Sequence, residues 1–266
     1  LVMYYMFAPW TRDGHVRANV IQIAPDVSGL ISTVSVQDNQ SVSQGDVLFT
    51  IDQARFELAL AQAQATLDAR KETLAQASRE AQRNKALGNL VAREQLEESQ
   101  SLESRARSAL AEAQVAVGPA KLNLERSVIR SPVDGYLNDR APRANEFVTA
   151  GRPVLSVVDG NSFHVDGYFE ETKIRHIRVG QRVDIRLMGE SEPLHGTVHS
   201  ISAAIEDRDR SSGSNLLPNV NPAFSWVRLA QRIPVRVALD EVPESIHLIA
   251  GRTATVTIIE DAETEQ

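Results

Sequence analysis

Residues 53–126 read QARFELALAQAQATLDARKETLAQASREAQRNKALGNLVAREQLEESQSLESRARSALAEAQVAVGPAKLNLER, and this stretch decides the fold. It is rich in Ala, Gln, Glu, Arg and Leu, and its first proline is Pro119. In the first half Leu60, Leu67, Leu74 and Ala81 recur at heptad spacing, with Phe56, Ala63 and Ala77 set ahead of three of them. Steps of threes and fours draw a narrow apolar seam, the coiled-coil pattern rather than the broad face of a core helix. Leu87, Gly88 and Asn89 form a helix stop, because Gly and Asn tolerate the left-handed conformation that ends a helix. The seam resumes at Leu96, Ser99, Glu103, Ala106, Leu110, Ala113, Val117, Ala120 and Leu124. Helices joined by so short a turn lie antiparallel. At ~1.5 Å per residue, about 35 residues give a rod of roughly 50 Å. Such a rod projects from something and is not the core of a 266-residue globule.

The flanks of the rod supply its mount. Residues 20–52 alternate as strands do, with Val27, Ile31, Val34 and Val36 before a turn at 37–40, and Val47, Phe49 and Ile51 after Gly45. Residues 128–160 repeat the unit: Gly29 aligns with Gly135, Asn39 with Asn145, Val42 with Val148 and Gly45 with Gly151 without a gap, and Asp52 with Asp159 after one insertion. Pro25 and Pro132 precede the first glycine of each copy. A unit of about 30 residues cannot bury a core alone. The two halves, 21–52 and 128–160, therefore pair into one small β-sandwich, with residues 53–127 inserted between them. This arrangement resembles a biotinyl or lipoyl carrier domain, yet neither copy contains a lysine. A carrier role lacks the amine it would acylate.

Composition narrows the function further. The chain is 24% charged and 42% hydrophobic, as folded soluble chains are. A net charge of −7 and the absence of a basic cluster with interleaved aromatics argue against nucleic-acid binding. With no cysteine there is no disulfide framework, thiolate metal site or cysteine nucleophile. Residues 1–10, LVMYYMFAPW, carry no charge. They are too few to span a bilayer, which takes ~20 apolar residues, and they have neither the basic start nor the cleavage site of a signal peptide. They read as the end of a longer N-terminal membrane anchor with Tyr4, Tyr5 and Trp10 at the interfacial level, or else as an apolar strand.

From Ser162 the pattern is all-β: Val165, Gly167 and Phe169 alternate, Glu170 to Ile174 make one helical turn, residues 179–187 read as a turn followed by a strand, and further strands are expected near 196–201, 226–237 and 253–259. Residues 206–221 read as a long polar loop. Short strands at this spacing predict an antiparallel β-barrel over 161–249. His195 and His199 share a strand face, but nothing at ligand spacing completes a metal site; they read as surface histidines. Glu170 and Glu171, a conceivable acid/base pair, adjoin on a turn and diverge. No phosphate loop, nucleophile elbow or catalytic triad spacing occurs. Gly118 and Pro119 predict a kink or end in the second helix. The expectation is that the protein is not an enzyme and holds no cofactor and no metal.

Residues 24–30 (APDVSGL), 44–52 (QGDVLFTID), 124–135 (LERSVIRSPVDG) and 226–236 (WVRLAQRIPVR) carry a likeness across the whole chain. With a membrane anchor, split sandwich, inserted hairpin and following barrel in that order, the chain resembles the periplasmic adaptors (membrane fusion proteins, HlyD/EmrA-like) of Gram-negative tripartite efflux pumps. Residues 9–13 (PWTRD), 161–163 (NSF) and 170–173 (EETK) are similar to the branch serving aromatic carboxylic acid (p-hydroxybenzoate) efflux. The resemblance implies anchorage in the inner membrane beside a transporter, a homo-oligomeric ring (a hexamer in many relatives), and an outer-membrane channel met by the hairpin tip. An adaptor of a protein or polysaccharide secretion system is the alternative. The resemblance also implies that residues 11–20 and 250–266 build a membrane-proximal part.

Hairpin tips of the family show an Arg, a Leu four residues on, and a Ser early in the second helix. Arg83 and Leu87 match, while the Ser position falls on Ala92. The resemblance thus implies a channel-docking tip of Arg83, Leu87, Gly88, Asn89, Ala92 and Arg93. Ala caps a helix poorly, at a cost of about 1 kcal/mol relative to Ser, and Asn89 is the alternative cap. Arg83 has two readings, a docking residue or a solvated flank of the coiled coil.

Overall fold

The computed structural model describes residues 8–202 and 231–259. Residues 1–7 of the expected anchor, the expected loop at 206–221, the start of the strand expected at 226–237 and residues 260–266 lie outside the described residues. In chain order the first elements are β1 (Trp10–Arg17), β2 (Val20–Ile23), β3 (Gly29–Val34), β4 (Ser41–Val42) and β5 (Val47–Ile51). Helix α1 (Ala54–Leu87), a 3₁₀ turn (Gly88–Leu90) and α2 (Arg93–Arg126) follow. Then come β6 (Val128–Arg130), β7 (Gly135–Leu137), β8 (Phe147–Val148), β9 (Leu155–Asp159) and β10 (His164–Glu170). The last are α3 (Glu171–Ile174), β11 (Arg182–Leu187), β12 (Leu194–Ile201), β13 (Arg232–Leu239) and β14 (Thr253–Ile258). The chain divides into two compact units, residues 20–158 and residues 1–19 with 159–266.

In the first unit the two repeats exchange strands. One sheet runs β2-β9-β7-β4 and the other β6-β5-β3-β8, so each half contributes two strands to each sheet. The equivalences are visible in the backbone: Asn39 and Asn145 both have positive φ (57° and 68°), as do Gly45 and Gly151 (89° and 81°). Hydrogen bonds repeat in the same way. Ile31 N donates to Glu146 O as Leu137 N donates to Gln40 O, and Gly45 N donates to Ser131 O as Gly151 N donates to Pro25 O. A core of Ile31, Leu48, Phe49, Ile51, Leu137 and Val157, drawn from both halves, lies fully buried. Neither half has a core without the other, which is why the insertion between them is tolerated.

The helices pack along the seam foreseen from spacing. Phe56, Leu67 and Ala81 of α1 and Ser99, Ala106 and Ala113 of α2 are buried, and the remaining seam positions are half-buried. Two side-chain bonds fix the antiparallel register: Gln53 Nε2 to Ser127 Oγ at the base (2.9 Å) and Ser78 Oγ to Glu103 Oε1 midway (2.8 Å). Arg55 donates to Ser28 O (2.6 Å) and Arg126 pairs with Asp26 (3.2 Å), tying both helix bases to the sheets. At 34 residues each, the helices are about 50 Å long. The end expected at Gly118 and Pro119 does not occur, because α2 continues to Arg126. The bond that Pro119 forgoes is the one to the Val115 carbonyl, and Val115 is exposed.

The second unit is a closed antiparallel barrel in the order β1-β10-β13-β12-β11-β14. Val16, Phe169, Ile185, Val235, Val256 and Ile258 are among its fully buried core residues. Here the sequence reading is corrected. Residues 11–20 and 250–266 were expected to form a separate membrane-proximal part, with the barrel confined to 161–249. Instead β1 and β14 pair with each other and close the barrel, Trp10 opposite Thr257 and His15 opposite Thr253, while Val20 opens β2 of the other unit. Without these two strands β10 and β11 would each present an unpaired edge, a liability that closure removes.

Candidate functional site: the hairpin tip

Helix α1 ends where Gly88 adopts φ 51° and ψ −118°, with its N–H bonded to Lys85 O. A side chain there would be strained. Val91 N then bonds to Gly88 O (3.3 Å) and α2 starts from Ala92, whose φ −60° and ψ 139° are those of an N-cap. Ala92 brings no side-chain oxygen and no side-chain cap is made. Asn89 lies inside the 3₁₀ turn, so the alternative cap expected from sequence is not realised. Arg83, Leu87, Gly88, Asn89, Ala92 and Arg93 are all exposed, and Leu90, which the sequence reading passed over, is the most exposed large apolar side chain of the tip at 86%.

The charges of the tip are divided between the helices. The last turns of α1 carry Arg79, Arg83 and Lys85 with Glu80, and the first turns of α2 carry Glu94, Glu97 and Glu98 with Arg93. The majority charge of each set suits the dipole of its own helix end. Arg93 pairs with Glu97 (3.1 Å), both strongly exposed, and Arg83 has no ion-pair partner among the described residues.

Below the tip the seam weakens. Ala77, Ala106 and Ser99 leave an open groove of about 280 Å³, rimmed by Thr73, Gln76, Glu80 and Leu102. One turn nearer the tip Asn84 is buried at 6% exposure, and its Nδ2 finds no acceptor. Asn84 was missed because an amide carries no apolar signal, although its spacing of three from Ala81 continues the seam.

Other polar groups have local explanations. His195 Nδ1 lies 2.8 Å from Asp184 across the β11–β12 ladder, and His199 is exposed further along β12. Glu170 ends β10 and Glu171 starts α3. On the outer face of the barrel, Asp13 accepts from Arg232 and lies 3.0 Å from His15 Nε2. Burial pushes its pKa up, but the bonds from Arg232 and His15 prevail and hold the carboxyl below its ordinary 3.8. Among the described residues no cluster of His, Cys, Asp and Glu is arranged to hold a metal, and no helix is long and apolar enough to cross a membrane.

Comparison with known proteins places this architecture. Residues 19–160 match the family model "RND MFP, barrel-sandwich hybrid domain". The chain belongs to the membrane fusion protein family. The barrel of this membrane fusion protein, residues 162–259, matches the "AAEA-like beta-barrel domain". It is 41% identical to the uncharacterised protein YdhJ of Escherichia coli K12, over 96% of this chain and 90% of that one. Among solved structures it is similar to the membrane fusion protein Spr0693 of Streptococcus pneumoniae R6, with a TM-score of 0.68 at 16% identity, covering 96% of this chain and 99% of the other. A MacA–MexA chimera carrying the Pseudomonas aeruginosa MexA α-hairpin gives 0.67 at 23% identity over 96% and 83%. These likenesses establish the shared fold.

Proposed function

We propose that this protein is a non-enzymatic periplasmic adaptor of a Gram-negative bacterium, linking an inner-membrane transporter to an outer-membrane channel. The cargo is small molecules, aromatic acids or drugs, and copies assemble as a ring anchored in the inner membrane through the N-terminus. The observation that carries this reading is the insertion of a stiff 34-residue helix pair between two halves that have no separate cores. Both helix ends return to the same pair of sheets, so the arm is held at its base like a lever, with Arg83, Leu87, Gly88, Asn89, Ala92 and Arg93 at its far end for docking. The mount acts as a lipoyl-like domain and the arm as a coiled coil; the two halves of the mount contain no lysine to acylate. The aromatic-acid branch rests on the likeness at residues 9–13, 161–163 and 170–173.

Deleting Leu74 to Glu103 tests the reading. Both β units are expected to keep their circular dichroism and cooperative melting, since the deleted segment contributes to neither core, while export is lost. Export that persists in the deletion strain overturns the bridging role.

A further inference from the structure

One end of the barrel is set apart by its charge. β1 starts there and β14 ends there, with Trp10 opposite Thr257; β10 ends there at Glu170 and β11 starts there at Arg182. β10 and β11 are not neighbours in the barrel, so residues 171–181 cross its mouth. They turn Ile174 and Ile177 onto the core, shaped by bonds from His176 N to Lys173 O (3.1 Å) and from Ile177 N to Ile174 O (2.9 Å). What is left for the outer surface is basic. Residues 172–178, TKIRHIR, hold one Lys, two Arg and no carboxylate, in a chain whose net charge is −7. Arg175, His176, Arg178 and Val179 are exposed. The Trp10 ring, itself 44% exposed, has Arg12 over it at 5.4 Å and Lys173 at 5.7 Å. Arg182 and Arg232 are paired with Asp240 and Asp13. Among the described residues Arg12, Lys173, Arg175 and Arg178 form no salt bridge.

We infer that this end of the barrel binds the headgroups of anionic phospholipids, with Arg12, Lys173, Arg175 and Arg178 on the phosphates and Trp10 at headgroup level. It rests on the inner-membrane anchorage put forward above, and it adds which surface of the barrel meets the bilayer. Two observations commit the partner to a lipid surface. A part-exposed indole beside long basic side chains is the combination that settles at a membrane–water interface, ring among the headgroups and cations reaching outward. Residues 1–8, LVMYYMFA, which lead into β1 at this end, carry no charge. An apolar segment or a basic patch alone holds a protein weakly to a membrane, and the two together hold it firmly. Attraction to an anionic surface fades within a Debye length, so it acts on cations at the rim of the barrel and not on those along its wall. Glu170 and Glu171 border the patch and are outnumbered by its four cations. The contact fixes the rotation of the barrel about its anchor, which a single anchoring segment leaves free.

Sedimentation of the purified full chain with vesicles tests the contact, phosphatidylcholine alone against phosphatidylcholine mixed with phosphatidylglycerol. Tighter binding to the mixed vesicles, weakened by high salt, is expected. Lys173→Gln should lower the partition coefficient about fivefold, and R12Q/K173Q/R175Q/R178Q should bring binding on mixed vesicles down to its level on neutral ones. R70Q/K71Q/R79Q/R105Q removes the same charge from exposed positions of the hairpin and should leave binding unaltered. In a W226F chain Trp10 is the one remaining indole, and brominated phosphatidylglycerol should quench its fluorescence. Equal binding of the full chain to both kinds of vesicle overturns the headgroup contact and leaves anchorage through apolar residues standing. Binding to neither overturns the contact and also removes the support that residues 1–8 lend to the anchorage. Equal losses in the two quadruple variants reveal a general effect of charge and overturn the site. An unquenched Trp10 in the bound chain overturns its placement among the headgroups.

Discussion

Replacing Asn84 by Leu should stabilise the hairpin. Asn84 is buried on the seam one turn below the tip, and its Nδ2 has no acceptor. A buried donor left unpaired costs about 1–3 kcal/mol, and burying a Leu side chain contributes about 1.5–3 kcal/mol. Against this stands overpacking, because Leu is bulkier than Asn; inserted methylenes cost about 1–3 kcal/mol in a tight core. The cost should fall at the low end here, since the seam neighbours Ala81 and Ser99 are small and an open groove lies just below. The net expectation is a gain of about 1–2 kcal/mol, a factor of about 5–30 in the opening equilibrium. Amide hydrogen exchange of residues 77–84 and 96–106, followed by mass spectrometry, reads that opening separately from the two β units. Asn84→Ala is the control: it removes the unpaired amide without adding bulk and should gain less. Faster exchange in both N84L and N84A than in the wild type would refute the reasoning, since N84A removes the amide without adding bulk.

Three further outcomes follow from the geometry. Ala92→Ser places a hydroxyl at an N-cap that already has extended backbone angles and should stabilise α2 by about 1 kcal/mol; exchange of residues 93–96 that does not slow would contradict it. Gly14→Ala puts a Cβ 2.7 Å from the Ala254 carbonyl oxygen and 2.8 Å from the Val256 side chain, so β1 and β14 must separate. The barrel should lose about 1–3 kcal/mol by chemical denaturation, and an unchanged midpoint would mean that β1 does not close it. Asp13→Asn removes a carboxylate whose folded pKa lies below its unfolded value of 3.8. Its contribution is present above that value and fades as pH falls through the folded pKa. D13N should therefore melt below wild type at pH 7, the gap narrowing below about pH 4; a gap of equal size at pH 3 would rule out the ionic origin.

The site was legible in the sequence to the extent that it is local. Residue chemistry placed Leu87, Gly88 and Asn89 at a helix stop, the resemblance marked Arg83 and Ala92 on either side of it, and α1 ends at Leu87 while α2 starts at Arg93. Leu90 and Asn84 escaped. Leu90 lies in a turn too short for periodicity to classify, and the burial of Asn84 depends on a facing helix rather than on its own chemistry.

The sequence by itself determined the hairpin and the split mount. Heptad spacing is a property of one helix, and the matched Asn and Gly positions are fixed by backbone angles that few residues adopt, so both leave a trace along the chain. Only the tertiary structure decided the exchange of strands between the two sheets and the closure of the barrel. Strands as short as β4 and β8 have no period to detect. In β1 Val16 is the one large apolar side chain that is buried, among Arg12, Asp13, His15 and Arg17, and its partner β14 lies more than 200 residues away. Pairing over that distance is set by which open sheet edges remain once the rest of the barrel has formed, and that information is not written in either strand.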